Sequence, residues 1–371
     1  MHIAVPKEIK NHEYRVALTP SGARELVGHG HRVTLQAGAG DGAGFSDAAY
    51  EAAGAQIERD VAALWRDAEL ILKVKEPQRE EVARLSAGQT LFTYLHLAAE
   101  EDLTRGLMES GATCIAYETI TDGQGGLPLL APMSTVAGRM AVQAGAHGLE
   151  KAQGGAGILL PGVPGVPPAR VAVIGGGVVG ENAARMALGL GAEVTVLDKS
   201  IARLEQLDDR YQGRMKTLYS TADALEQVVR ESDLVIGAVL VPGAAAPKLI
   251  TREMLADMKP GSVLVDVAID QGGCFATSQA TTHAAPTYLV DGVVHYCVAN
   301  MPGAVARTST QALTNATLPY VIALADKGWR QALADDPHFL GGLNVHDGKV
   351  THPAVAEAFG FVHADAGPLV R

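Results

Sequence analysis

The chain has 371 residues, of which 47% are hydrophobic, and a formal net charge of −11 at pH 7. This length favours two domains with sizeable cores, and the acidic balance argues against nucleic acid or an anionic membrane surface as a partner. The three cysteines lack metal-ligand spacing, so we expect reduced thiols in a cytoplasmic protein, with no disulfide framework and no metal. No apolar run approaches the roughly 18 residues of a membrane span, and the N-terminus lacks the apolar core of a signal peptide.

The first 133 residues alternate between strand and helix patterns. The predicted strands are HIAVP, HRVTLQ, AQIE, ELILKVK, TLFTYL and ATCIAYE. The predicted crossover helices are SGARELVGHG, DVAALWRDA, REEVARLSAG and AEEDLTRGLMESG, several of which close at glycine. This alternation predicts a parallel sheet. The block has no G-x-G-x-x-G turn, which suits a substrate domain.

A second block begins at Ser134 and runs to 302. It opens with a helix of small residues, STVAGRMAVQAGAHGLEKAQGG, which leads into a Gly/Pro-rich loop at 154–169. Its later predicted strands are MKTLYS, DLVIGAVL, GSVLVDVAID and the pair TYLVDG and VVHYCVAN, and its later predicted helices are ARLEQLDDRY, ADALEQVVRES and REMLADM. This block is a second α/β domain.

The start of this second domain carries a dinucleotide fingerprint. After the strand VAVIG, the turn supplies Gly175, Gly177 and Gly180 in a G-x-G-x-x-G frame and opens a helix, whose N-terminus suits a phosphate. The next strand, EVTVLD, ends at Asp198, eighteen residues after Gly180. A carboxylate there accepts hydrogen bonds from ribose hydroxyls and repels an added phosphate, so the spacing predicts NAD and disfavours NADP.

A second long helix, AVARTSTQALTNATLPYVIALADKG, follows Pro302. We expect it to bend at Pro319 and to return the chain to the first domain. The predicted fold is therefore α/β, with two Rossmann-like doubly wound parallel-sheet domains separated by a cleft and linked by long helices. The substrate domain is discontinuous (1–133 plus 303–371), and the NAD-binding domain is 134–302.

Candidate catalytic residues are sought at the carboxyl ends of strands, where open α/β sheets place their ligands. Arg15 follows the first strand, Lys75 ends ELILKVK, His96 ends TLFTYL and Asp270 ends GSVLVDVAID. Two cations, an imidazole and a carboxylate around one cleft suit a small carboxylate substrate.

Three of these residues also have an ordinary structural interpretation. Arg15 could form a surface ion pair with Glu8 or Glu13, and His96 could be a hydrogen-bonded core histidine. Asp270, which precedes Gln-Gly-Gly, could merely shape a turn. Composition and spacing alone leave these alternatives open.

Blocks along nearly the whole chain resemble bacterial NAD-dependent alanine dehydrogenases. They are KEIKNHEYRVALTPSG, ILKVKEP, LFTYLHLA, LPLLAPMS followed by VAGRMA, IGGGVVG, VDVAIDQGG and VANMPGAV. The resemblance implies a cytoplasmic homohexamer that reversibly deaminates L-alanine to pyruvate and ammonium with NAD. It also implies that Arg15 and Lys75 hold the substrate and that His96 and Asp270 are catalytic.

The resemblance extends the cofactor site beyond the glycine turn and Asp198. Arg203 stands where the family often has lysine, and Thr135 and Ala276 replace common glutamates, which affects only peripheral contacts. The further cofactor residues implied are Ser134, Val178, Val179, Arg203, Ser220, Val239, Leu240, Val267, Ala268, Ile269, Asp270, Val298, Ala299, Asn300 and Met301.

Other functions remain open. The NAD-binding subunit of proton-translocating transhydrogenase resembles this architecture, but we expect it to carry glutamate where this chain has Asp270. A non-enzymatic NAD-sensing module would not need Lys75, His96 and Asp270. Saccharopine-forming dehydrogenases, with a longer amino-acid substrate, are a more distant possibility.

Overall fold

The computed structural model describes residues 1–239 and 246–371. The chain divides into two compact units. Unit 1 consists of Met1–Met133 and Gly303–Arg371, and unit 2 of Ser134–Pro302. Within the described ranges, no helix has the length and apolar character needed to cross a membrane.

The strands are short and mostly buried. In chain order they are β1 (His2–Val5), β2 (Arg32–Gln36), β3 (Gln56–Glu58), β4 (Leu70–Leu72), β5 (Thr90–Thr93), β6 (Thr113–Ala116), β7 (Arg170–Ile174), β8 (Glu193–Asp198), β9 (Lys216–Tyr219), β10 (Leu234–Gly237), β11 (Val263–Asp266), β12 (Thr287–Val290), β13 (Val293–Tyr296), β14 (Leu343–His346) and β15 (Lys349–Val350).

Helices separate these strands, as the alternating sequence pattern predicts. They are α1 (Pro20–Gly28), α2 (Asp47–Ala52), α3 (Val61–Arg66), α4 (Arg79–Val82), α5 (Glu101–Ser110), α6 (Ala131–Gly148), α7 (Val178–Gly189), α8 (Ile201–Tyr211), α9 (Ala222–Glu231), α10 (Arg252–Ala256), α11 (Ala306–Asp335), α12 (Pro337–Leu340) and α13 (Pro353–Phe359). Many begin with a side-chain cap, such as Thr19 on α1, whose hydroxyl accepts from Gly22 N.

The sheet of unit 1 has eight strands in the order β15-β14-β6-β5-β4-β1-β2-β3. The six strands β1 to β6 are mutually parallel, as predicted. The C-terminal pair β14 and β15 adds to β6 in antiparallel orientation, which the sequence analysis did not predict. Because β5, β4 and β1 are neighbours, their carboxyl ends meet at one edge of this sheet.

The sheet of unit 2 has seven strands in the order β12-β13-β11-β10-β7-β8-β9. All neighbours are parallel except β12 and β13. The chain winds from β7 to β8 and β9 in one direction and from β10 to β11 and β13 in the other, so β7 borders the topological switch point where such sheets bind ligands. Alternate residues of β7 enter two separate apolar cores, Val171 and Val173 on one face and Ala172 and Ile174 on the other.

The three predicted strands that lead to Lys75, His96 and Asp270 end earlier than the sequence indicates. The ladders stop at Leu72, Thr93 and Asp266, so Lys75, His96 and Asp270 lie in the segments beyond them. An apolar run does not show where a strand ends, because local hydrogen bonds turn the chain out of the sheet. The predicted helix REEVARLSAG is likewise shortened to α4.

The two long helices also differ from prediction. Helix α6 begins at Ala131, three residues before the predicted start. In α11 the non-helical residue is Gly328, with φ 75° and ψ 157°, whereas Pro319 lies inside the helix. The break in helical geometry is thus at Gly328, because glycine adopts this backbone conformation at a much lower cost than other residues, and the bend at Pro319 stays a prediction.

Candidate active site

Arg15 lies in the segment that follows β1 and is nearly inaccessible. Its Nε and Nη2 atoms each donate to a different carboxylate oxygen of Glu13 at 2.6 Å. The side chains are 2% and 0% exposed, so the pair is buried and not the surface ion pair considered from the sequence. Burial alone would lower the pKa of Arg15, but Glu13 outweighs it and raises the pKa. The planar guanidinium is thus fixed in place as a permanent cation.

Tyr94 connects Arg15 to His96. The Tyr94 ring stacks on the His96 imidazole, with centroids 5.8 Å apart and an interplanar angle of 6°. Its hydroxyl donates to Leu129 O at 2.6 Å. Burial raises the pKa of Tyr94, whereas the positive charge of Arg15 lowers it, so the cation lies within electrostatic range of this ring.

His96 has a left-handed backbone, with φ 51° and ψ 37°. Such a conformation is costly for a residue other than glycine and persists only when its surroundings enforce it. The Glu118 carboxylate accepts from Leu95 N at 3.2 Å and from His96 N at 2.5 Å, and it approaches His96 Nδ1 at 3.9 Å. The His96 side chain is 46% exposed, so its ring is available to a ligand.

Lys75 is half-buried beyond the end of β4. Its carbonyl oxygen accepts from Thr93 Oγ1 at 3.0 Å, which ties the segment after β4 to β5. Arg15, Lys75 and His96 therefore follow three neighbouring strands at the carboxyl edge of unit 1, as the sequence analysis expects.

A buried ion cluster holds the same edge. Lys73 Nζ donates to Glu8 Oε2 at 2.9 Å and to Glu81 Oε1 at 2.8 Å, and all three side chains are at most 5% exposed. Glu8 Oε1 also accepts from Val74 N at 2.7 Å, so this carboxylate fastens the segment after β1 to the end of β4. Burial opposes the charge on Lys73, but the two carboxylates outweigh it and raise its pKa.

The sequence analysis missed these supporting residues. Glu13 and Glu8 entered only as partners of a surface ion pair, and neither Glu118 nor Lys73 was identified. A signal was present for Lys73, because a cation inside the apolar run ILKVK needs a partner if it is buried. No local sequence pattern marks Glu118. It contacts His96 because it follows strand β6, which pairs with β5 in the sheet.

In unit 2, the glycine turn has the form that a dinucleotide needs. Gly175 has φ +98°, and a Cβ atom on Gly180 would overlap the Gly175 carbonyl oxygen. The positive φ of the turn thus requires glycine at 175, and the close packing of α7 requires glycine at 180. A Cβ on Gly177 would meet nothing within 4 Å, so the N-terminus of α7 is open to an approaching ligand. This geometry fits a pyrophosphate at the first amides of α7.

Asp198 ends β8 beside this turn. Its Oδ2 atom accepts from Gly176 N at 2.6 Å and its Oδ1 atom from Ser200 N at 2.8 Å. Each oxygen retains further acceptor capacity, so the carboxylate can also bind ribose hydroxyls. Arg203 donates through Nε to Gly176 O at 2.6 Å and through Nη2 to Glu181.

The other predicted cofactor residues follow strands of the unit 2 sheet or lie in helices α6 and α7. Ser220 N donates to Asp198 O at 3.0 Å, which binds β9 to β8. Leu240 lies outside the described residues. Ser134 is in α6, Val178 and Val179 open α7, and the remaining predicted residues follow strands β10, β11 and β13, namely Val239, Val267, Ala268, Ile269, Asp270, Val298, Ala299, Asn300 and Met301.

Two aspartates in the VDVAID segment have different environments. Asp266 is fully buried and accepts from Ala268 N at 3.0 Å, from Cys274 N at 2.9 Å and from Ser278 Oγ. Asp270 is exposed in a short 3-10 turn, and it lies in unit 2, whereas the other three predicted substrate and catalytic residues lie in unit 1. Asp266 therefore shapes the loop.

Comparison with known proteins assigns the family. Two family models match, "Alanine dehydrogenase/PNT, N-terminal domain" over residues 4–137 and "Alanine dehydrogenase/PNT, C-terminal domain" over residues 141–353. The chain belongs to this alanine dehydrogenase family. The resemblance predicted from the sequence is confirmed.

Members of the alanine dehydrogenase family align with the whole chain. An alanine dehydrogenase from Halomonas elongata is 85% identical over 370 residues, 100% of each chain. One from Bacillus subtilis is 57% identical, covering 99% of this chain and 97% of the relative.

Solved structures give the same assignment and confirm the predicted α/β fold class. An L-alanine dehydrogenase structure superposes with a TM-score of 0.94 at 52% identity, covering 97% of this chain and 99% of that one. A transhydrogenase from Sinorhizobium meliloti reaches a TM-score of 0.83 at 28% identity, covering 95% and 100%. Among the functions considered, the alanine dehydrogenase is therefore better supported than the transhydrogenase subunit.

Proposed function

We propose that this chain catalyses the reversible, NAD-dependent oxidative deamination of L-alanine to pyruvate and ammonium. The observation that carries the proposal is 85% identity to an alanine dehydrogenase along the full length of both chains. The grouping of Arg15, Lys75 and His96 at one sheet edge supports it, because a small amino acid needs a carboxylate clamp and a proton-transfer group. We assign unit 1 to the substrate and unit 2 to NAD.

Arg15 binds the substrate carboxylate in this proposal. Its guanidinium is held rigid by Glu13, and guanidinium donors match the spacing of two carboxylate oxygens. Lys75 binds the oxygen that becomes the carbonyl of pyruvate and polarises it. Both cations favour an anionic substrate.

His96 and Asp270 are the catalytic residues in this proposal, and they have separate tasks. When bound, NAD would supply the acceptor for the hydride at Cα, and loss of that hydride from the neutral amine of the substrate leaves a cationic iminium. His96 takes a proton from the attacking water, whose hydroxide adds to the iminium carbon, and returns that proton to the nitrogen when the carbinolamine collapses. The carbinolamine hydroxyl proton also passes to the nitrogen, so the products are pyruvate and ammonium. Asp270 stabilises the iminium and the departing amine by its negative charge. The exposed His96 ring, fixed by Glu118 at its backbone, suits this exchange.

The glycine turn and Asp198 hold the dinucleotide. The open backbone at Gly177 and the first amides of α7 bind the pyrophosphate, and Asp198 binds the adenosine ribose. The further contacts are those named from the sequence, with Arg203 supporting the glycine turn through Gly176 O. We also propose a homohexamer in the cytoplasm, where the buried thiols of the three cysteines stay reduced.

The test is NADH formation at 340 nm with NAD and L-alanine at alkaline pH, alongside NADP, D-alanine, L-serine and L-lysine. We expect turnover only with NAD and L-alanine, and loss of at least about 100-fold in His96→Ala. His147→Ala is the matched control, since His147 is an exposed histidine whose Nδ1 lies 3.3 Å from Glu150. Equal activity of the two variants would contradict the role of His96.

The transhydrogenase alternative has a separate readout. A redox module acting on nicotinamides alone would transfer hydride from NADH to an oxidised NAD analogue with no amino acid present. A non-enzymatic sensor would bind NADH, detected by its fluorescence, without turnover of any amino acid. Either result in place of L-alanine oxidation would overturn the proposed reaction.

A further inference from the structure

A cluster of two histidines and an aspartate lies in unit 1. His29 Nδ1 is 3.0 Å from Asp326 Oδ2, and His31 Nε2 is 2.8 Å from Asp326 Oδ1. One ligand atom from each residue can be chosen so that all three lie within 4.8 Å of one another. We propose that His29, His31 and Asp326 form a binding site for a divalent transition-metal ion of the zinc class.

The end of helix α1 positions the two imidazoles. His31 N donates to Leu26 O at 3.1 Å and Gly30 N donates to Val27 O at 2.9 Å, which is the Schellman arrangement of a helix C-terminus. Gly30 adopts the left-handed conformation with φ +86° that this arrangement needs. The backbone on both sides of Gly30 is therefore fixed before any ion binds, and the two rings stack at an interplanar angle of 25°.

The aspartate occupies a position that favours a cation. Asp326 precedes Gly328, where the helical geometry of α11 is interrupted, so its carboxylate lies in the last turn before the break. A negative charge there is disfavoured by the partial negative charge of the helix C-terminus. A bound cation would offset this repulsion.

The donor set selects the class of metal. Imidazole nitrogens combined with one carboxylate oxygen suit Zn²⁺, Co²⁺ or Ni²⁺, whereas Mg²⁺ and Ca²⁺ prefer oxygen ligands throughout. Ligand atoms on one tetrahedral ion are about 3.3 Å apart, and the two imidazole–carboxylate distances of 3.0 and 2.8 Å are near this value. The His31 side chain is 8% exposed and those of His29 and Asp326 are 40% and 37% exposed, so water has access to complete the coordination.

An ion here would fasten two distant parts of the chain. His29 and His31 lie between α1 and β2, and Asp326 lies nearly 300 residues later in α11. All three belong to unit 1, so the ion would join the two sequence segments of this discontinuous unit. The site carries none of the residues assigned to substrate or NAD.

The test is calorimetric titration of Zn²⁺ into the tag-free, chelator-treated full chain at pH 7.5, with Mg²⁺ as the second ion. We expect one Zn²⁺ per chain, no binding of Mg²⁺, and affinity at least about 10-fold weaker in His31→Ala and in the conservative Asp326→Asn. The buried cysteines should not compete. His147→Ala removes the exposed histidine of a two-residue His-Glu pair and should leave the affinity unchanged.

Thermal unfolding gives a second readout. Because an ion that binds only the folded chain stabilises it, Zn²⁺ should raise the unfolding midpoint of the wild type and not that of Asp326→Asn. No binding to the wild type would show that the cluster is only a hydrogen-bonded trio. Unchanged stoichiometry and affinity in both cluster variants would place the ion elsewhere. Either outcome overturns the proposal.

Discussion

At the scale of single residues, carboxylates hold the predicted substrate and catalytic groups, and the sequence suggested only Glu13 among them, as a surface ion-pair partner. Glu13 fixes the Arg15 guanidinium, and Glu118 fixes the left-handed backbone of His96. The candidate substrate and catalytic residues could be proposed from the sequence because they fall in recognisable blocks after strands. The carboxylates that fix these residues could not be predicted. Any of the 41 acidic residues could be the partner until the order of the strands in the sheet is known.

Replacing Glu118 by alanine should lower kcat more than it raises KM. The substitution removes the acceptor of the Leu95 and His96 amides, so the proposed proton-transfer group loses its fixed position. Hydrogen bonds to a charged group contribute about 1.5–3 kcal/mol, and we expect a fall in kcat of about 10- to 100-fold. Steady-state kinetics of L-alanine oxidation measures this change.

The Glu118→Gln variant should recover part of the lost rate, because an amide oxygen still accepts from the backbone. Glu109→Ala, at an exposed position on α5, serves as the control and should behave as wild type. A wild-type kcat in Glu118→Ala would remove this residue from the positioning of His96.

Alanine substitutions in the glycine turn should separate ligand approach from packing. Gly177→Ala places its methyl group in open space, so stability should change little while NADH affinity falls by at least about 10-fold. Gly180→Ala should lose both stability and NADH affinity, because its methyl group would overlap the Gly175 carbonyl oxygen. NADH fluorescence titration and thermal unfolding, measured on both variants, check the two effects.

Gly189→Ala is the control for these variants, since Gly189 lies in the same helix, α7, and a Cβ there meets nothing within 4 Å. Its affinity for NADH should equal that of the wild type. Unchanged NADH affinity in Gly177→Ala would argue that no pyrophosphate approaches this backbone.

At the scale of elements, segments distant in sequence are joined at a few buried polar contacts. The Lys73 cluster connects the segment after β1, the end of β4 and helix α4 through Glu8 and Glu81. Such a cluster is costly to assemble but more costly to leave incomplete, because a removed partner strands a buried charge. It specifies how the carboxyl edge of the sheet is arranged.

Replacing Lys73 by methionine should therefore destabilise the protein by about 3–5 kcal/mol. Two carboxylates would remain buried without their cation, whereas the methionine side chain preserves much of the volume. Urea denaturation measures the loss. The triple variant Lys73→Met, Glu8→Gln and Glu81→Gln should recover much of it, because no stranded charge remains.

The surface pair Lys327–Asp335 supplies the control for this prediction. Its side chains are 49% and 39% exposed, and exposed pairs contribute at most about 1 kcal/mol. Lys327→Met should therefore shift the urea midpoint little. An equally small effect of Lys73→Met would show that the buried cluster carries no special energetic weight.

Gly328→Ala should destabilise unit 1 by about 1–3 kcal/mol. The φ of 75° and ψ of 157° at this position belong to a region that is accessible almost exclusively to glycine. Gly28→Ala is the matched control, because Gly28 is helical in α1 and a Cβ there meets nothing within 4 Å. Thermal unfolding compares the two, and equal midpoints would contradict the assignment of the α11 break to Gly328.

At the scale of the whole molecule, sequence patterns predicted the two α/β blocks and the glycine fingerprint. Alternating apolar runs and helices that end at glycine are local patterns, so they can be recognised from the sequence without the three-dimensional structure. The antiparallel pair β14 and β15 was not predicted, because two short strands leave little periodicity to detect. The cluster of His29, His31 and Asp326 was also not predicted, since its members meet only after α11 packs against α1.

One buried and two partly buried histidines make the stability of the folded protein sensitive to mild acid. His295 is fully buried, with Nε2 2.7 Å from Thr277 Oγ1 and Nδ1 3.0 Å from Val293 O. Burial lowers the pKa of His295, and likewise those of His346 and His352, below the ordinary value of 6.5. The folded chain therefore resists protons that the unfolded chain accepts below about pH 6.5.

Because the unfolded state binds more protons in this window, the free energy of unfolding should fall as the pH decreases from 7.0 to 5.5. Each such histidine contributes a slope of at most about 1.4 kcal/mol per pH unit. Carboxylates whose pKa is lowered lose their contribution only at more acidic pH, so they do not produce this slope. Urea denaturation at a series of pH values measures it, and His295→Gln, which retains hydrogen-bonding groups but cannot titrate, should make it shallower. A pH-independent stability across this range in the wild type would show that these histidines gain their protons equally in the folded and unfolded chains.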